Sequence, residues 1–460
     1  MVKVLFIQCN YDINNLHYLA PWMPLALVEL ATFIREKGGH EVKIWDRNLH
    51  SDDLSLINFL KTFNPDIVGM TCYTSLVIKD IKHVSKIVKE NSNAKVIVGG
   101  VHATLEPKSL LDFPSIDIVV RGEGEETLLE ICNLLDKKKS NDKSLLKLKN
   151  VNYNLLRPLL DLNTVPVPDY SLLDVKKYPV ATFYSSRGCP GKCKFCYNQG
   201  RQLRYYNTKK FIETLSNVFE KYHIREFTIA DDNFANLSKR SEEICNFLSK
   251  YNSIFHIFLR VDMTQDKIMK NLKKAGCWAI QFGFESGNQR VLDFIGKGVS
   301  VQQNINAIQQ CKKHHIFVDG SFMIGLPTET MSEVKDTVNF IKTYKPDAVD
   351  IKIFKPYPST ELYNFSVQNN LMAPPKTLNE WESFCELKQG EPNVSNTSTE
   401  FLVKTINNLS KTSYLTYLKK TALLLKGGHI NYALFKTNYI LKRKLGLEVD
   451  NQKTKTYLKN

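Results

Sequence analysis

Two series of alternating strand and helix signals constrain the fold of this 460-residue chain more than any other feature. In the first series, over about residues 1–135, the apolar segments KVLFIQ, DIVGMTC and KVIVGG alternate with helical patterns. One of these patterns places Leu27, Ala31 and Ile34 at helical spacing. Strands that alternate with helices in this way predict βαβ units and a parallel sheet. Ligands of such sheets bind beyond the carboxyl ends of the strands.

The second series begins near residue 179 and predicts an α/β barrel. Strands in such a barrel follow one another at about 30–35 residues and carry functional groups at their carboxyl ends. The six predicted strands are VATFYSS, EFTIADD, IFHIFLRVD, WAIQFGFE, IFVDGSFMIG and VDIKIFK.

The two series predict an α/β protein with four regions. Residues 1–138 form a Rossmann-like domain with a parallel sheet, and residues 179–365 form a partial (β/α)6 barrel. Residues 139–178 are a linker, because their prolines restrict the chain to extended or turn geometry. Residues 366–460 form a helical, basic region, since the strand signals have stopped by then.

The positive charge of the chain is concentrated at its end. Residues 401–460 hold twelve Lys or Arg and two acidic residues, so they supply most of the net charge of +15. Such a segment is either a solvated helical face or a surface for nucleic acid, an anionic membrane or an acidic substrate. We favour the helical face because Leu402, Ile406 and Leu409 recur on one side, and we expect no nucleic-acid partner.

Cysteine usage and hydropathy predict a cytoplasmic protein. Ten cysteines in this length are too sparse for a disulfide framework, which indicates a reducing compartment. The start of the chain, MVKVLFIQCN, lacks the pattern of a cleavable signal. No apolar run approaches the length that a transmembrane helix needs.

Three cysteines lie close together in the segment SSRGCPGKCKFCYN, directly after the first predicted barrel strand. Cys189, Cys193 and Cys196 stand in a loop that Gly188 and Gly191 allow to turn tightly. Three thiolates can bind three irons of a [4Fe–4S] cluster and leave the fourth iron open to a substrate. The alternatives are a zinc site completed by a distant His and three reduced core cysteines.

The spacing CxxxCxxC after the first strand of a barrel resembles the signature of radical S-adenosylmethionine (SAM) enzymes. Phe195, just before the last cysteine, also fits this pattern. The resemblance covers about residues 179–360 and implies that Cys189, Cys193 and Cys196 hold a [4Fe–4S] cluster whose open iron binds SAM. It further implies reductive cleavage of SAM to a 5′-deoxyadenosyl radical that abstracts hydrogen from the substrate. An external low-potential donor of the flavodoxin or ferredoxin type would supply the electron.

Further segments on successive strands resemble the SAM-binding parts of this family. Paired acids at a strand end are also common as helix caps, and an arginine there is also common in a surface salt bridge. The residues implied in SAM binding are Asp231, Asp232 and Asn233 for the methionine moiety, Arg260 for its carboxylate, Glu285 and Ser286 near the ribose, and Gly325 and Pro327 near the adenine.

The first domain resembles the cobalamin-binding domain that precedes the barrel in one subfamily of these enzymes. The motif Asp-x-His-x-x-Gly of another cobalamin-domain type is missing, so the resemblance implies no His below the cobalt and a structural or tail-contacting role for His102. The alternative is a generic nucleotide-type fold with ordinary glycine turns. The residues implied in cobalamin binding are Thr71, Thr74, Ser75, Gly99, Gly100, His102, Gly122, Glu123 and Gly124.

Together the two resemblances imply a cobalamin-dependent radical SAM enzyme, and methyl transfer is the expected reaction. Two alternatives stay open. The same cofactors could support cyclisation, ring contraction or oxidation without methyl transfer, or the protein could be a cobalamin or redox sensor without turnover. We expect a small-molecule or peptide substrate, which no sequence feature identifies.

Overall fold

The computed structural model describes residues 1–10, 23–73, 75–137, 142–178, 180–197, 202–234, 239–386 and 392–409. The chain divides into two compact units. Unit 1 comprises Met1–Tyr178 and Pro374–Leu387, and unit 2 comprises Pro179–Ala373 and Lys388–Asn460.

Unit 1 is built on a five-stranded parallel sheet with the order β2-β1-β3-β4-β5. The order reverses between β1 and β3, which is where open α/β sheets bind their ligands. The strands are β1 (Lys3–Gln8), β2 (Glu41–Asp46), β3 (Ile67–Thr71), β4 (Lys95–Gly99) and β5 (Ile118–Val119). The helices are α1 (Leu25–Gly38), α2 (Asp53–Phe63), α3 (Ile78–Asn91), α4 (Val101–Leu105), α5 (Pro107–Leu111), α6 (Glu125–Asp136) and α7 (Asp142–Leu145).

The apolar strands of this sheet are buried because helices cover both of its faces. Phe6 of β1 packs directly over Gly69 of β3, and a Cβ on Gly69 would stand 2.7 Å from the ring. Phe6 belongs to the same core cluster as Leu27 and Ile34 of α1. The helical spacing seen in the sequence therefore marks the face of α1 that packs on the sheet.

Residues 142–178, for which the sequence predicts a linker, pack along unit 1. Val151 pairs with Val120 in an antiparallel bridge. Farther along, Asp169 accepts a hydrogen bond from the Arg35 guanidinium at 2.5 Å. Its carboxylate also caps a 3-10 turn by accepting from Ser171 N–H at 2.8 Å. The segment thus forms an ordered edge of the first unit.

A helix from beyond the barrel, α15 (Leu378–Glu386), also belongs to unit 1. Trp381 of this helix is 1% exposed, and its ring meets the His102 ring edge-on at a centroid distance of 5.4 Å. The Lys82 ammonium donates to Glu382 at 2.7 Å. The region predicted as helical and basic over residues 366–460 is therefore divided between the two units.

Unit 2 contains a six-stranded parallel sheet with the order β13-β12-β11-β10-β9-β6. Strands that are consecutive in sequence lie side by side, as the predicted partial (β/α)6 barrel requires, and the fold class is confirmed. The strands of the sheet are β6 (Ala181–Phe183), β9 (Glu226–Ile229), β10 (Ile254–Leu259), β11 (Cys277–Glu285), β12 (Phe317–Ile324) and β13 (Ala348–Ile353), and a small antiparallel ribbon consists of β7 (Ser186–Arg187) and β8 (Arg204–Tyr205).

The helices of unit 2 connect these strands. A capping box starts α12, where Ser300 Oγ accepts from the Gln303 N–H at 3.2 Å and the Gln303 side chain accepts from Ser300 N–H at 2.8 Å. The described helices of unit 2 are α8 (Thr208–Tyr222), α9 (Lys239–Leu248), α10 (Asp266–Lys274), α11 (Gln289–Phe294), α12 (Val301–Lys313), α13 (Met331–Tyr344), α14 (Glu361–Gln368) and α16, over residues 399–409.

The described start of the basic tail bears out the predicted amphipathic pattern. Leu402, Ile406 and Leu409 of α16 are all buried. Residues 410–460, with the remainder of the basic segment, lie outside the described part of the chain. Within the described ranges, no helix combines the length and the apolar composition that crossing a bilayer needs.

Candidate active site

The three-cysteine loop follows β6 and the short strand β7. After the loop, the chain forms β8, which pairs antiparallel with β7. Gly188 adopts a positive φ of 88° just before the first cysteine, a conformation that favours glycine. The loop is held from the other side of the unit, because Lys194 N–H donates to the Ile295 carbonyl at 2.9 Å. The backbone of the loop is therefore held by the ribbon before its first cysteine and by the Ile295 carbonyl between its second and third cysteines.

The arrangement of the thiols fits an iron–sulfur cluster. Cys193 is buried, and Cys189 and Cys196 are half-buried. The sulfurs of Cys189 and Cys193 stand 3.4 and 3.7 Å from the point that a Cβ on Gly191 would occupy, so a side chain there would intrude between them. Among the described residues these cysteines form no disulfide, and no three His, Cys, Asp or Glu side chains are grouped as ligands of a single metal ion. In a [4Fe–4S] cluster, each of the three thiolates would bind a different iron.

Asp231, predicted as a SAM contact, is fully buried at the end of β9 and faces the start of the cysteine loop. Its Oδ1 accepts from the backbone N–H groups of Ser185 and Ser186 at 2.6 and 3.1 Å. Its Oδ2 accepts from both serine hydroxyls, at 2.7 Å for Ser186. Burial raises the pKa of this carboxyl, while the bonds from Ser185 and the charge of Arg240 lower it. Asp231 thus holds the first residues of the loop.

The two residues after Asp231 differ in environment. Asp232 is exposed, whereas Asn233 is buried and its Oδ1 accepts from the Arg260 N–H at 3.2 Å. This bond joins the end of β9 to the end of β10, so the segment predicted to bind the methionine moiety also positions Arg260.

Arg260 reaches the cysteine loop from the end of β10. Its Nε and Nη2 form a bidentate pair with Asp262 at 3.1 and 3.0 Å. Its Nη1 lies 3.2 Å from the point that a Cβ on Gly191 would occupy, on the side of the thiols. Burial lowers the pKa of the guanidinium, but the Asp262 carboxylate and the Cys193 and Cys189 sulfurs together raise it more, so the net shift is upward. Arg260 stays charged next to the cluster ligands.

Glu285 is the most unusual residue of the predicted ribose segment. It is a non-glycine residue with a positive φ of 62°. It is the last residue of β11, and the pairing register with β12 shifts between Gly283 and Glu285. Its Oε1 accepts from the Lys297 ammonium at 2.7 Å, and both side chains are 9% exposed. A backbone conformation of this kind costs roughly 1–3 kcal/mol and is common at functional sites.

Lys297 and Asp262 were missed by sequence reasoning. Asp262 follows Arg260 by only two residues, but no pattern tells which of several nearby acids pairs with it. A weak signal exists for Lys297, because it stands between Gly296 and Gly298, which adopt positive φ values of 64° and 67°. Two such glycines around one lysine allow the chain to turn that side chain inward.

Ser286 and the predicted adenine segment are buried. Ser286 Oγ is 3.0 Å from Thr337 Oγ1, and the Gly287 N–H donates to the same Thr337 atom at 3.0 Å. Gly325 has a positive φ of 78°, and Pro327 is buried in the turn that follows.

Glu329 organises that turn and was also missed by sequence reasoning. Its Oε2 accepts from the N–H groups of Gly325 and Leu326 at 2.6 and 3.1 Å. Burial raises the pKa of this carboxyl to about 7. Its backbone carbonyl accepts from Thr397 Oγ1 at 3.1 Å, which attaches the segment before α16 to the same turn.

Several residues implied in cobalamin binding meet at the carboxyl ends of β3 and β4. Thr71 and Gly99 are paired across these strands. Gly100 has a φ of 102°, and a Cβ there would stand 2.8 Å from Thr71 Oγ1 and 2.9 Å from the Cys72 backbone. Only glycine fits at position 100, because the backbone there lies against Thr71 and Cys72. Ser75 starts a 3-10 turn, and Thr74 lies outside the described residues.

His102 is buried and directed into unit 1. Its Nε2 is 3.1 Å from Ser109 Oγ, and its Nδ1 has no hydrogen-bond partner in the described part of the chain. Burial lowers the pKa of the imidazole to about 4, so it is neutral at ordinary pH. His102 thus packs within unit 1, and its structural or tail-contacting role stays a prediction.

The turn over Gly122, Glu123 and Gly124 lies at the same edge and holds neighbouring segments. Gly122 N–H donates to Thr104 Oγ1 at 2.9 Å, and Glu123 Oε2 accepts from the Leu160 N–H at 2.8 Å. Gly124 precedes α6 as its N-cap residue. The Glu123 carboxylate therefore anchors the segment that covers unit 1.

A buried polar atom at this edge fits a bound group rich in amides, such as cobalamin. Asn10 follows β1 at the point where the strand order reverses. Its N–H donates to the Asp80 carboxylate at 2.6 Å, while its Oδ1 is buried without a partner among the described residues. A buried acceptor of this kind favours a ligand that donates hydrogen bonds.

Comparison with known proteins assigns a family to each unit. The model of the Radical SAM superfamily matches residues 183–341, and the model of the B12 binding domain matches residues 11–132. An uncharacterized methyltransferase of Pyrococcus horikoshii is 35% identical over 88% of this chain and 89% of its own length. An anaerobic magnesium-protoporphyrin IX monomethyl ester cyclase of Rubrivivax gelatinosus is 28% identical over 79% of this chain and 69% of its own length.

A solved structure has the same fold. The radical SAM methyltransferase TsrM from Kitasatospora setae superposes with a TM-score of 0.70 at 14% identity, over 82% of this chain and 78% of that protein. At this identity the likeness concerns the fold alone.

Proposed function

Since the chain belongs to the radical SAM enzymes that carry a B12-binding domain, we propose that it transfers a methyl group from cobalamin to its substrate. The cofactors of this family are a [4Fe–4S] cluster, SAM and cobalamin. When bound, they supply reductive cleavage of SAM, hydrogen abstraction and methyl transfer. The observation that carries the proposal is the pair of Cys189 and Cys193 thiols around Gly191, with the Arg260 guanidinium beside them.

The chain's own residues would bind and orient these groups. Cys189, Cys193 and Cys196 would hold the cluster, with Asp231 keeping the start of their loop in place. Arg260 offers Nη1 to a carboxylate, since its Nε and Nη2 are already bonded to Asp262.

The other predicted contacts stay proposals of the same kind. For SAM they are Asp232, Asn233, Glu285, Ser286, Gly325 and Pro327. For cobalamin they are Thr71, Thr74, Ser75, Gly99, Gly100, His102, Gly122, Glu123 and Gly124.

We further propose that the enzyme works in a reducing cytoplasm and under anaerobic conditions. The nine described cysteines are free thiols, which supports a reducing compartment. A low-potential cluster with an open iron is sensitive to oxygen, and it needs an external one-electron donor of the flavodoxin or ferredoxin class.

The test is anaerobic reconstitution with iron, sulfide and cobalamin, followed by incubation with SAM and a low-potential reductant. We expect 5′-deoxyadenosine from the wild type and none from Cys193→Ala. Cys245→Ala, at a buried cysteine of α9, is the matched control and should retain cleavage. Cleavage by Cys193→Ala would overturn the proposal.

A second reaction is favoured by the cyclase relative, which shares 28% identity over 79% of this chain. Cyclisation or oxidation would use the same cofactors without methyl transfer. With substrate present, a methyltransferase accumulates S-adenosylhomocysteine alongside 5′-deoxyadenosine, whereas the second reaction yields 5′-deoxyadenosine alone. Metabolites from anaerobic cultures with and without the gene, compared for a gain of one methyl group, would identify the substrate.

A further inference from the structure

A buried ion pair, Glu285–Lys297, lies next to the cysteine loop, and the SAM contact proposed for Glu285 leaves Lys297 without a role. Lys297 Nζ donates to Glu285 Oε1 at 2.7 Å, and both side chains are 9% exposed. Taking two charges out of water costs free energy that their attraction often does not recover. A pair of this kind is therefore weak evidence for a stabilising role.

Glycines make room for this pair. A Cβ on Gly283 would stand 2.3 Å from Glu285 Oε1 and 2.9 Å from Lys297 Nζ, so the pair fills the space of a missing side chain. Gly296 and Gly298 take positive φ on either side of Lys297. Glu285 itself has a positive φ of 62°. The chain thus accepts backbone strain as well as desolvation at this position.

The pair is also tied mechanically to the cluster loop. A Cβ on Gly296 would stand 3.1 Å from the Lys192 carbonyl, so the two turns are in close contact. The Ile295 carbonyl accepts from the Lys194 N–H at 2.9 Å. The Lys297 carbonyl accepts from Arg260 Nη2 at 3.3 Å, and Arg260 Nη1 points toward the thiols.

Both charges of the pair influence the Cys193 thiol, and Lys297 influences it more strongly. Burial raises the pKa of its thiol most, and the Lys297 ammonium is the next strongest influence, in the opposite direction. Glu285 raises this pKa less than Lys297 lowers it. Little water surrounds these groups, so the interaction is weakly screened.

We propose that Lys297 sets the reduction potential of the iron–sulfur cluster. When one electron from a low-potential donor is added to the cluster, its negative charge rises by one, and the buried ammonium stabilises that charge. Glu285 carries the opposite charge and limits the size of the effect. Nearby charge and hydrogen bonding are known determinants of cluster potentials. The inference rests on the proposed function in that Cys189, Cys193 and Cys196 must hold the cluster.

The test is a potentiometric titration of the reconstituted protein, followed by electron paramagnetic resonance and performed without SAM or substrate. The variants are Glu285→Gln, Lys297→Met and the double variant. We expect Glu285→Gln to have a more positive midpoint than the wild type, and Lys297→Met and the double variant to have more negative ones. Each midpoint should shift by an amount that corresponds to a change on the order of tenfold in the reduction equilibrium, which is ~59 mV for a one-electron couple.

The control is Arg290→Met, which removes a second ion pair of unit 2, with Glu333; the Arg290 side chain is half-exposed, so water and salt screen its charge. Its midpoint should equal that of the wild type, so a general loss of packing is separated from the loss of a nearby charge. Equal midpoints for all variants, or the reverse order, would overturn the inference. Weaker SAM binding by Lys297→Met with an unchanged midpoint would overturn it too, and would make Lys297 a SAM-binding residue.

Two further outcomes are informative. If Lys297→Met does not retain iron, the midpoint of Glu285→Gln tests the inference instead. This variant keeps the Lys297 cation, and Gln has nearly the same volume as Glu. An unchanged midpoint in that variant contradicts the inference. If the wild type itself holds no cluster, the proposed function fails and this inference with it, whereas a normal cluster with unresponsive midpoints refutes the inference alone.

Discussion

The carboxylate of Asp231 accepts a hydrogen bond from the backbone N–H of Ser185 at 2.6 Å, four residues before the first cysteine of the cluster motif. The same side chain accepts from both the N–H and the hydroxyl of Ser186. One buried residue at the end of β9 therefore holds the segment from which the cysteine loop starts. A substitution that removes the hydrogen bonds of Asp231 should therefore displace the cysteine loop and weaken cluster binding.

Asp231→Asn is expected to destabilise the protein by about 1–3 kcal/mol, because an amide nitrogen cannot accept from the serine donors and leaves buried groups unsatisfied. Iron content after reconstitution should fall as well. Asp232→Asn, at the exposed neighbouring carboxylate, should change stability by no more than ~0.5 kcal/mol. Chemical unfolding and iron analysis check both variants. Equal stability with abolished SAM binding in Asp231→Asn would instead support the SAM contact that the sequence predicts.

Trp381→Ala should destabilise unit 1 although the residue lies far along the chain, beyond the barrel. The Trp381 side chain is 1% exposed and packs edge-on against His102. Removing a buried aromatic side chain of this size costs about 3–5 kcal/mol. Urea unfolding followed by circular dichroism measures the loss, and Ser383→Ala, on the exposed side of the same helix, is the control. A loss below ~1 kcal/mol would show that α15 is not a structural part of unit 1.

Gly287→Ala tests the close approach between the turn after β11 and α13. A Cβ at this position would stand 2.6 Å from the Phe340 Cβ and 3.0 Å from the Asp336 carbonyl, and neither atom can move freely. Overpacking of this kind costs about 1–3 kcal/mol, which thermal unfolding would detect. Gly124→Ala is the matched control, since its Cβ would have only ordinary contacts of 3.5 Å or more. An unchanged stability in Gly287→Ala would contradict the packing described.

The parallel sheets and the cysteine motif could be predicted from the sequence because their signals are local. Buried strands such as β1 are continuous apolar runs, and CxxxCxxC is a spacing within eight residues. The partners of the charged site residues could not be predicted. Glu285 pairs with a lysine 12 residues later, and Asp231 pairs with serines 45 and 46 residues earlier. Many polar residues compete for such pairs, and only the folded backbone selects among them.

The assignment of segments to units was also beyond the sequence. Prolines within residues 142–178 indicate extended backbone, but they do not tell whether that backbone lies on a domain or spans two. The helical pattern of α15 shows an apolar face without showing what it covers. In the structure, that face packs on α3 and α5, which precede it by more than 250 residues.

Glu329 should make the stability of the protein depend on pH. Its carboxyl is fully buried, Oε2 accepts from Gly325 and Leu326, and Oε1 has no hydrogen-bond partner in the ranges that the structure describes. Burial raises the pKa from the usual 4.5 to about 7, so the folded protein binds this proton more tightly than the unfolded chain. Its contribution to stability is then complete below pH 4.5 and is lost as the pH rises toward 7.

The expected loss across this window is on the order of 3 kcal/mol. Glu329→Gln keeps the oxygen that accepts from Gly325 and Leu326 but cannot ionise, so its stability should not show this decline. Relative to the wild type, the variant should therefore gain stability between pH 4.5 and pH 7 and level off above pH 7 in urea unfolding experiments. Glu333→Gln, whose pKa is held down to about 2 by the Arg290 guanidinium, is the control and should show no gain in this window. A constant difference between the wild type and Glu329→Gln across the pH range would mean that Glu329 ionises normally in the folded protein.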